Sequence, residues 1–192
     1  MKYPDYLDGH RELVGTYRTW EANLTDDAMR KLVAIGSPEQ IAIAAILSHR
    51  NDLLVPADLS PERAAAYAAK AGNWHIFDQM QDYVESIIEY GTVDMMLEAL
   101  DRYDLELTNE DATIAARTNR FDMIQAIVPK LGATSFQVYW PILLYGAIHD
   151  NINMIRYGAS YPAIGEINLH LALTYANSPR TRRVIENEMQ SR

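Results

Sequence analysis

The sequence predicts an all-α protein built from stacked helix-turn-helix pairs. Strand signals are almost absent: there is no sustained period-2 alternation and no Asn-Gly or Asp-Gly hairpin turn. Helix starts recur, because Ser37-Pro38, Ser60-Pro61 and Ser178-Pro179 each set a capping hydroxyl before a proline. A proline fits the first helical position, where its missing N–H has no partner to lose. A two-helix unit also repeats loosely along the chain, the mark of an array whose neighbouring units share one core.

Read from cap to breaker, the elements follow in order. Residues 5–22 carry Leu13, Tyr17 and Trp20, with Leu24 just beyond, at helical spacing. Thr25 precedes Asp26 and Asp27, acids suited to the positive end of a helix over 26–35. Ser37 with Gln40 forms a capping-box pattern and opens 38–48. His49 to Leu59 reads as a loop, and Ser60 opens 61–71. The pattern then predicts helices at 74–90 and 93–103, and at 109–118 after the Thr108/Asp111 box. Those that follow are 121–131, 136–149, 152–157, 166–176 and 179–189. Residues 1–24 are expected to be an N-terminal helical cap, and 25–192 a single repeat domain whose last segment, 179–192, closes it. Short links between antiparallel helices imply pairs lying side by side.

The repeating unit is an Ala-rich helix, a small or polar pair, and a second helix opening on apolar residues. Its clearest copies run from Ala69 through Gly72-Asn73-Trp74 to Phe77, from Ala116 through Asn119-Arg120-Phe121 to Ile124, and from Ala147 through Asp150-Asn151-Ile152 to Ile155. Weaker copies turn at Gly36-Ser37, Gly91-Thr92 and Asn177-Ser178. Leu131-Gly132-Ala133 and Tyr157-Gly158-Ala159 follow two of the second helices. These residues resemble divergent ankyrin repeats, of the style seen in large DNA viruses. The resemblance covers about 25–190 and implies an ankyrin-like solenoid that binds proteins. The chain departs from the family in two ways. Its turns are spaced 36, 19, 28, 31 and 27 residues apart, against about 33 in ankyrin, and it has no Thr-Pro-Leu-His opening, which puts regular β-turn fingers in question. The alternative architecture is an irregular α-helical bundle.

Composition bounds the function. The 192 residues carry a net charge of −9, and the hydrophobic share of 48% is that of a globular domain. No apolar run approaches the roughly 20 residues that span a bilayer, and residues 1–20 hold no signal-peptide core, so a cytoplasmic protein is expected. The absence of cysteine excludes disulfides and thiolate chemistry. The charge itself is uneven. Residues 78–111 hold 11 acidic groups and one basic group, Arg102. Residues 1–77 total −2 and residues 112–192 total +3. Binding along a nucleic-acid backbone needs clustered Lys and Arg and is disfavoured.

Catalytic patterns are sparse. His10, His49, His75, His149 and His170 form no zinc spacing. His149-Asp150 resembles the His-Asp pair of all-helical metal-dependent phosphohydrolases, with His49, His75, Asp94 or Asp122 as further ligands. The pair falls on a repeat turn, however, where polar residues are expected in any case. No Gly-x-Ser-x-Gly elbow and no phosphate loop occurs. No catalytic residue, metal site or cofactor is therefore assigned.

The strongest local feature lies in 74–90. On one helix, Asp78, Asp82, Glu85 and Glu89 form a continuous acidic stripe opposite Phe77, Met80, Val84, Ile87 and Ile88. Asp94, Glu98, Asp101, Asp104 and Glu106 extend it, and Trp74 opens it. Asp78, Asp82, Glu85, Glu89, Asp94, Glu98, Asp101 and Trp74 are the expected contacts for a basic protein partner, the competing account being a solvated face. Arg180, Arg182, Arg183 and Arg192 suggest a complementary patch for the acidic segment of another copy, hence a homo-oligomer. Tyr139-Trp140-Pro141 and Tyr157 to Tyr161 read either as an aromatic binding patch or as packing between helices. The reading is a non-catalytic protein–protein interaction module. The alternatives are a structural component of an assembly and a phosphohydrolase using His149 and Asp150.

Overall fold

A computed structural model describes residues 34, 36–54, 59–79, 84–132 and 135–191. The expected cap over 1–24 and the helix expected at 26–35 fall outside the described residues, apart from Ala34. Among the described residues every regular element is helical. The chain divides into two compact units, Met1–Tyr83 and Val84–Arg192.

In the first unit, α1 (Pro38–Leu47) packs against α2 (Pro61–Ala71) and against a 310 turn at Asn51–Leu53; α2 packs against α3 (Trp74–Phe77). The caps act as their residues dictate. Ser37 Oγ accepts from the Gln40 N–H at 3.3 Å, and Gln40 Oε1 accepts from the Ser37 N–H at 2.9 Å. Ser60 accepts from the Arg63 N–H. Arg63 also pairs with Glu39, joining α2 to α1. Ala44, Ala65, Ala68 and Ala69 are buried and, with no side chain beyond Cβ, let the helices approach closely.

The second unit holds α4 (Val84–Tyr90), α5 (Val93–Tyr103), α6 (Asn109–Arg117), α7 (Phe121–Ile127), α8 (Phe136–Ile148), α9 (Ile152–Ala159), α10 (Glu166–Tyr175) and α11 (Pro179–Gln190). A 310 turn, Val128–Lys130, follows α7, with Pro129 inside it. Each odd helix packs on the even helix before it. The first helices also meet in series, α4 on α6, α6 on α8 and α8 on α10. Among the second helices, α5 touches α7 and α9 touches α11.

One turn geometry recurs. His49, Gly72, Asn119 and Asp150 have φ of 58°, 66°, 60° and 55°. In each case the next N–H reaches a carbonyl five residues back: Arg50 to Ala45, Asn73 to Ala68, Arg120 to Ala115 and Asn151 to Gly146, at 2.8–2.9 Å. This is the six-to-one bond that closes a helix through one left-handed residue. Ser48 and Thr118 each donate a hydroxyl hydrogen bond four residues back, at 2.7 and 2.8 Å. The same turn thus closes α1, α2, α6 and α8.

Two expectations are corrected. Residues 74–90 are not one helix: α3 ends at Phe77, Asp78 and Gln79 lie in a turn, and α4 is described from Val84. Like charges at i, i+4 with no basic partner work against carrying one helix through that stretch. The second correction concerns the first hairpin. A left-handed turn at Ser48-His49-Arg50 closes α1, while Ser37 caps its start and the helix expected before the Gly36-Ser37 turn lies outside the described residues, apart from Ala34. The region expected as loop, His49 to Leu59, therefore includes the short 310 start of a second arm.

The tightest contact is between α8 and α9. A Cβ added at Gly158 would stand 2.7 Å from Leu143 Cβ, and one at Gly146 2.9 Å from Met154 Cβ. Glycine at both places lets the two backbones approach. Leu143, Ala147, Ile155 and Ala159 join Leu169, Ala172, Ala176 and Ile185 in one buried cluster.

Candidate interaction surfaces

The acidic residues are not carried on one helix. Asp78 lies exposed in the turn after α3, in the first unit, and Asp82 falls outside the described residues. Trp74, half-buried, starts α3 and meets Phe77 edge-on at 6.1 Å. Glu85 and Glu89 belong to α4, and of the two only Glu85 is exposed. The Glu89 side chain, 22% exposed, sits 3.3 Å from Arg117 of α6. Asp94, Glu98 and Asp101 are exposed on α5, with Glu98 3.7 Å from Arg102. Of the expected contacts in the second unit, Glu85, Asp94, Glu98 and Asp101 are thus exposed, as are Asp104, Glu106 and Glu110 beyond α5.

The polar turn residues engage neighbouring hairpins. The Arg120 guanidinium donates to the carbonyls of Ile88, Glu89 and Gly91 at 3.3, 3.0 and 2.8 Å. It also holds Asp122 at 2.8 Å. His149 Nε2 lies 2.8 Å from the Arg117 carbonyl, and Asn151 donates to Asn119 Oδ1 at 2.7 Å. Asn177 donates to the Ile148 carbonyl at 3.0 Å, and Asp150 Oδ1 accepts from the Ser178 N–H at 3.2 Å. In the first unit, Asn73 donates to the Ile46 carbonyl and to Asn51 Oδ1, both at 2.9 Å, and His49 Nε2 lies 3.1 Å from the Ala71 carbonyl. Those that end on backbone oxygens satisfy carbonyls that a helix end leaves without partners. The sequence marks these positions as turn residues but gives no sign of how far they reach.

His149 and Asp150, the pair singled out for metal chemistry, are therefore bonded to two different neighbours. His75 lies 2.8 Å from Gln79, and Asp122 is held by Arg120. Among the described residues no three His, Asp or Glu side chains gather closely enough to hold a metal ion. Three carboxyls sit below their ordinary pKa. For Asp122 the chief cause is the hydrogen bond from Arg120, and for Asp52 the one from Arg50. For Asp150 it is the hydroxyl of Thr181, then Ser178.

The aromatic residues stack on one another. Tyr139 lies parallel to Tyr161 at 4.6 Å and close to Tyr157 at 5.7 Å, and Phe121 meets Tyr157 edge-on at 5.9 Å. All four are half-buried. Burial foremost, then the neighbouring Tyr139, raises the Tyr157 hydroxyl pKa above its ordinary value. Arg180, Arg182 and Arg183 are exposed on α11. On α10, Ile167, Leu171 and Tyr175 stand exposed on one ridge, a feature the sequence reading did not single out.

No helix of the described residues is long and apolar enough to cross a membrane. No family model, curated protein or solved structure matches the chain.

Proposed function

We propose that the chain is a non-catalytic protein–protein interaction module, an ankyrin-like solenoid of helical hairpins with an acidic surface for a basic partner. The observation that carries this reading is the repeated link between hairpins. The carbonyls of Glu89, Arg117 and Ile148, at one place in successive hairpins, accept from Arg120, His149 and Asn177 of the next. An array of this kind presents a broad surface on a quasi-one-dimensional scaffold. The acidic groups Glu85, Asp94, Glu98 and Asp101 suit fast, salt-sensitive association with a positively charged protein.

The test is affinity capture with the tagged chain from its native cell or host, followed by reconstitution with purified components. A captured protein that binds directly, and binds more weakly as salt rises from about 50 to about 500 mM, supports the reading. A chain that captures no specific protein, or whose purified form turns over a phosphate ester, sinks it.

A further inference from the structure

We propose that the first helices α4, α6, α8 and α10 together form a docking track for a linear peptide segment of a partner protein, apolar at one end and basic at the other. The inference rests on the interaction-module reading and adds the surface and the chemistry of what it holds.

Contacts fix the register of the track. Glu89, Arg117, Ile148 and Tyr175 each stand three residues before the N-cap of the helix that follows: Thr92, Arg120, Asn151 and Ser178. Glu89 and Arg117 touch at 3.3 Å. One turn earlier, in the same register, run Glu85, Thr113, Leu144 and Leu171. Along these packed helices the register passes from Glu85 and Glu89 on α4, through Thr113 and the exposed Arg117 that pairs with Glu89 on α6, to apolar residues on α8 and α10.

The apolar end is open. Ile167, Leu171 and Tyr175, at i, i+4 and i+8, are 83%, 44% and 48% exposed. Scattered single apolar residues on a surface need no explanation, but a ridge of three in register with the half-buried Trp140, Leu144 and Ile148 of α8 does. The ridge is not a seat for a further hairpin. Leu143 and Ala147, eight and four residues before the N-cap, are buried on α8, as are Ala112 and Ala116 on α6. The same places on α10 are His170 and Thr174, both exposed. The stacking side of the last first helix is thus polar, as in a terminal unit, while its outward ridge is apolar. At the other end, the exposed Glu85 calls for Lys or Arg on the ligand: residues 84–101 contain no basic side chain, and Arg117 on α6 pairs with Glu89. Packed helices lie about 8–10 Å apart, so three steps span about 27 Å. An extended chain of about eight residues covers that distance.

The experiment titrates the purified full chain against a labelled nonapeptide with three leucines at one end, three lysines at the other and Gly/Ser between. Saturable binding is expected, weakened about tenfold when serines replace the leucines or glutamates replace the lysines. Ile167→Ser with Leu171→Ser is expected to reproduce the first loss without lowering Tm, because both side chains are exposed. Glu85→Lys is expected to weaken the lysine peptide and to strengthen the glutamate peptide. The track is overturned if acidic and basic peptides bind alike, or if the Ile167/Leu171 variant binds unchanged. It is also overturned if the chain self-associates in sedimentation and that variant restores the monomer, which assigns the ridge to a second copy. A captured partner that crosslinks away from α8 and α10 overturns the track and leaves the interaction role standing. Capture of no specific partner removes that role itself.

Discussion

Arg120 holds the end of α4 from one hairpin away. Its guanidinium donates to three carbonyls and its side chain is only 13% exposed. Hydrogen bonds from a charged donor are stronger than neutral ones. Arg120→Ala is therefore expected to destabilise the second unit by about 2 kcal/mol in urea unfolding. Arg120→Lys should recover less than half of that, because an ammonium lacks the fork that reaches three acceptors. The depressed carboxyls make a prediction with a definite sign. Asp122 and Asp150 have folded pKa values below their unfolded ones. Their contribution is present above about pH 4, the unfolded carboxyl pKa, and is lost as pH falls through the lower folded value. Below about pH 4, the stability of Asp122→Asn and Asp150→Asn should fall less steeply than that of the parent; parallel curves would refute the linkage. At this scale the capping residues were legible, since Ser37 and Gln40 meet within one turn. The reach of Arg120 was not, because its acceptors lie 29 to 32 residues away.

Helix type and order follow from local signals, and most boundaries fall close to where caps and breakers put them. The 74–90 segment departs from that pattern because its apolar spacing suits a helix while its charges oppose one. Close approach between elements depends on glycine. Gly158→Ala is expected to cost about 1–3 kcal/mol, since the added methyl meets the backbone and side chain of Leu143. Gly132→Ala has open space and no left-handed φ, and serves as the neutral control. Equal Tm values for the two variants would contradict the packing of α8 on α9. Gly72→Ala, at φ 66°, should cost about 1 kcal/mol through backbone strain alone.

The division at Tyr83/Val84 predicts that residues 84–192 fold alone. A fragment of that span should unfold cooperatively, with helical circular dichroism and a Tm close to one transition of the full chain. A fragment lacking a cooperative transition would refute this. The division also changes what the acidity means. A stretch that reads as one stripe is shared between two units, and Glu89 is spent on Arg117. The hydrolase alternative has its own test in metal analysis of the purified chain. The interaction reading predicts background content, and a stoichiometric divalent ion would restore the alternative.

The sequence by itself determined most of the described helices, their caps and the pairing of neighbours, because each depends on hydrogen bonds and apolar spacing within a few residues. Only the tertiary structure decided which charges remain open, which turn side chains bridge hairpins, and that the last first helix is polar on its stacking side and apolar outward. Those outcomes depend on residues 27 to 32 positions apart brought side by side. No periodicity in the chain records which carbonyl a distant arginine or asparagine will find.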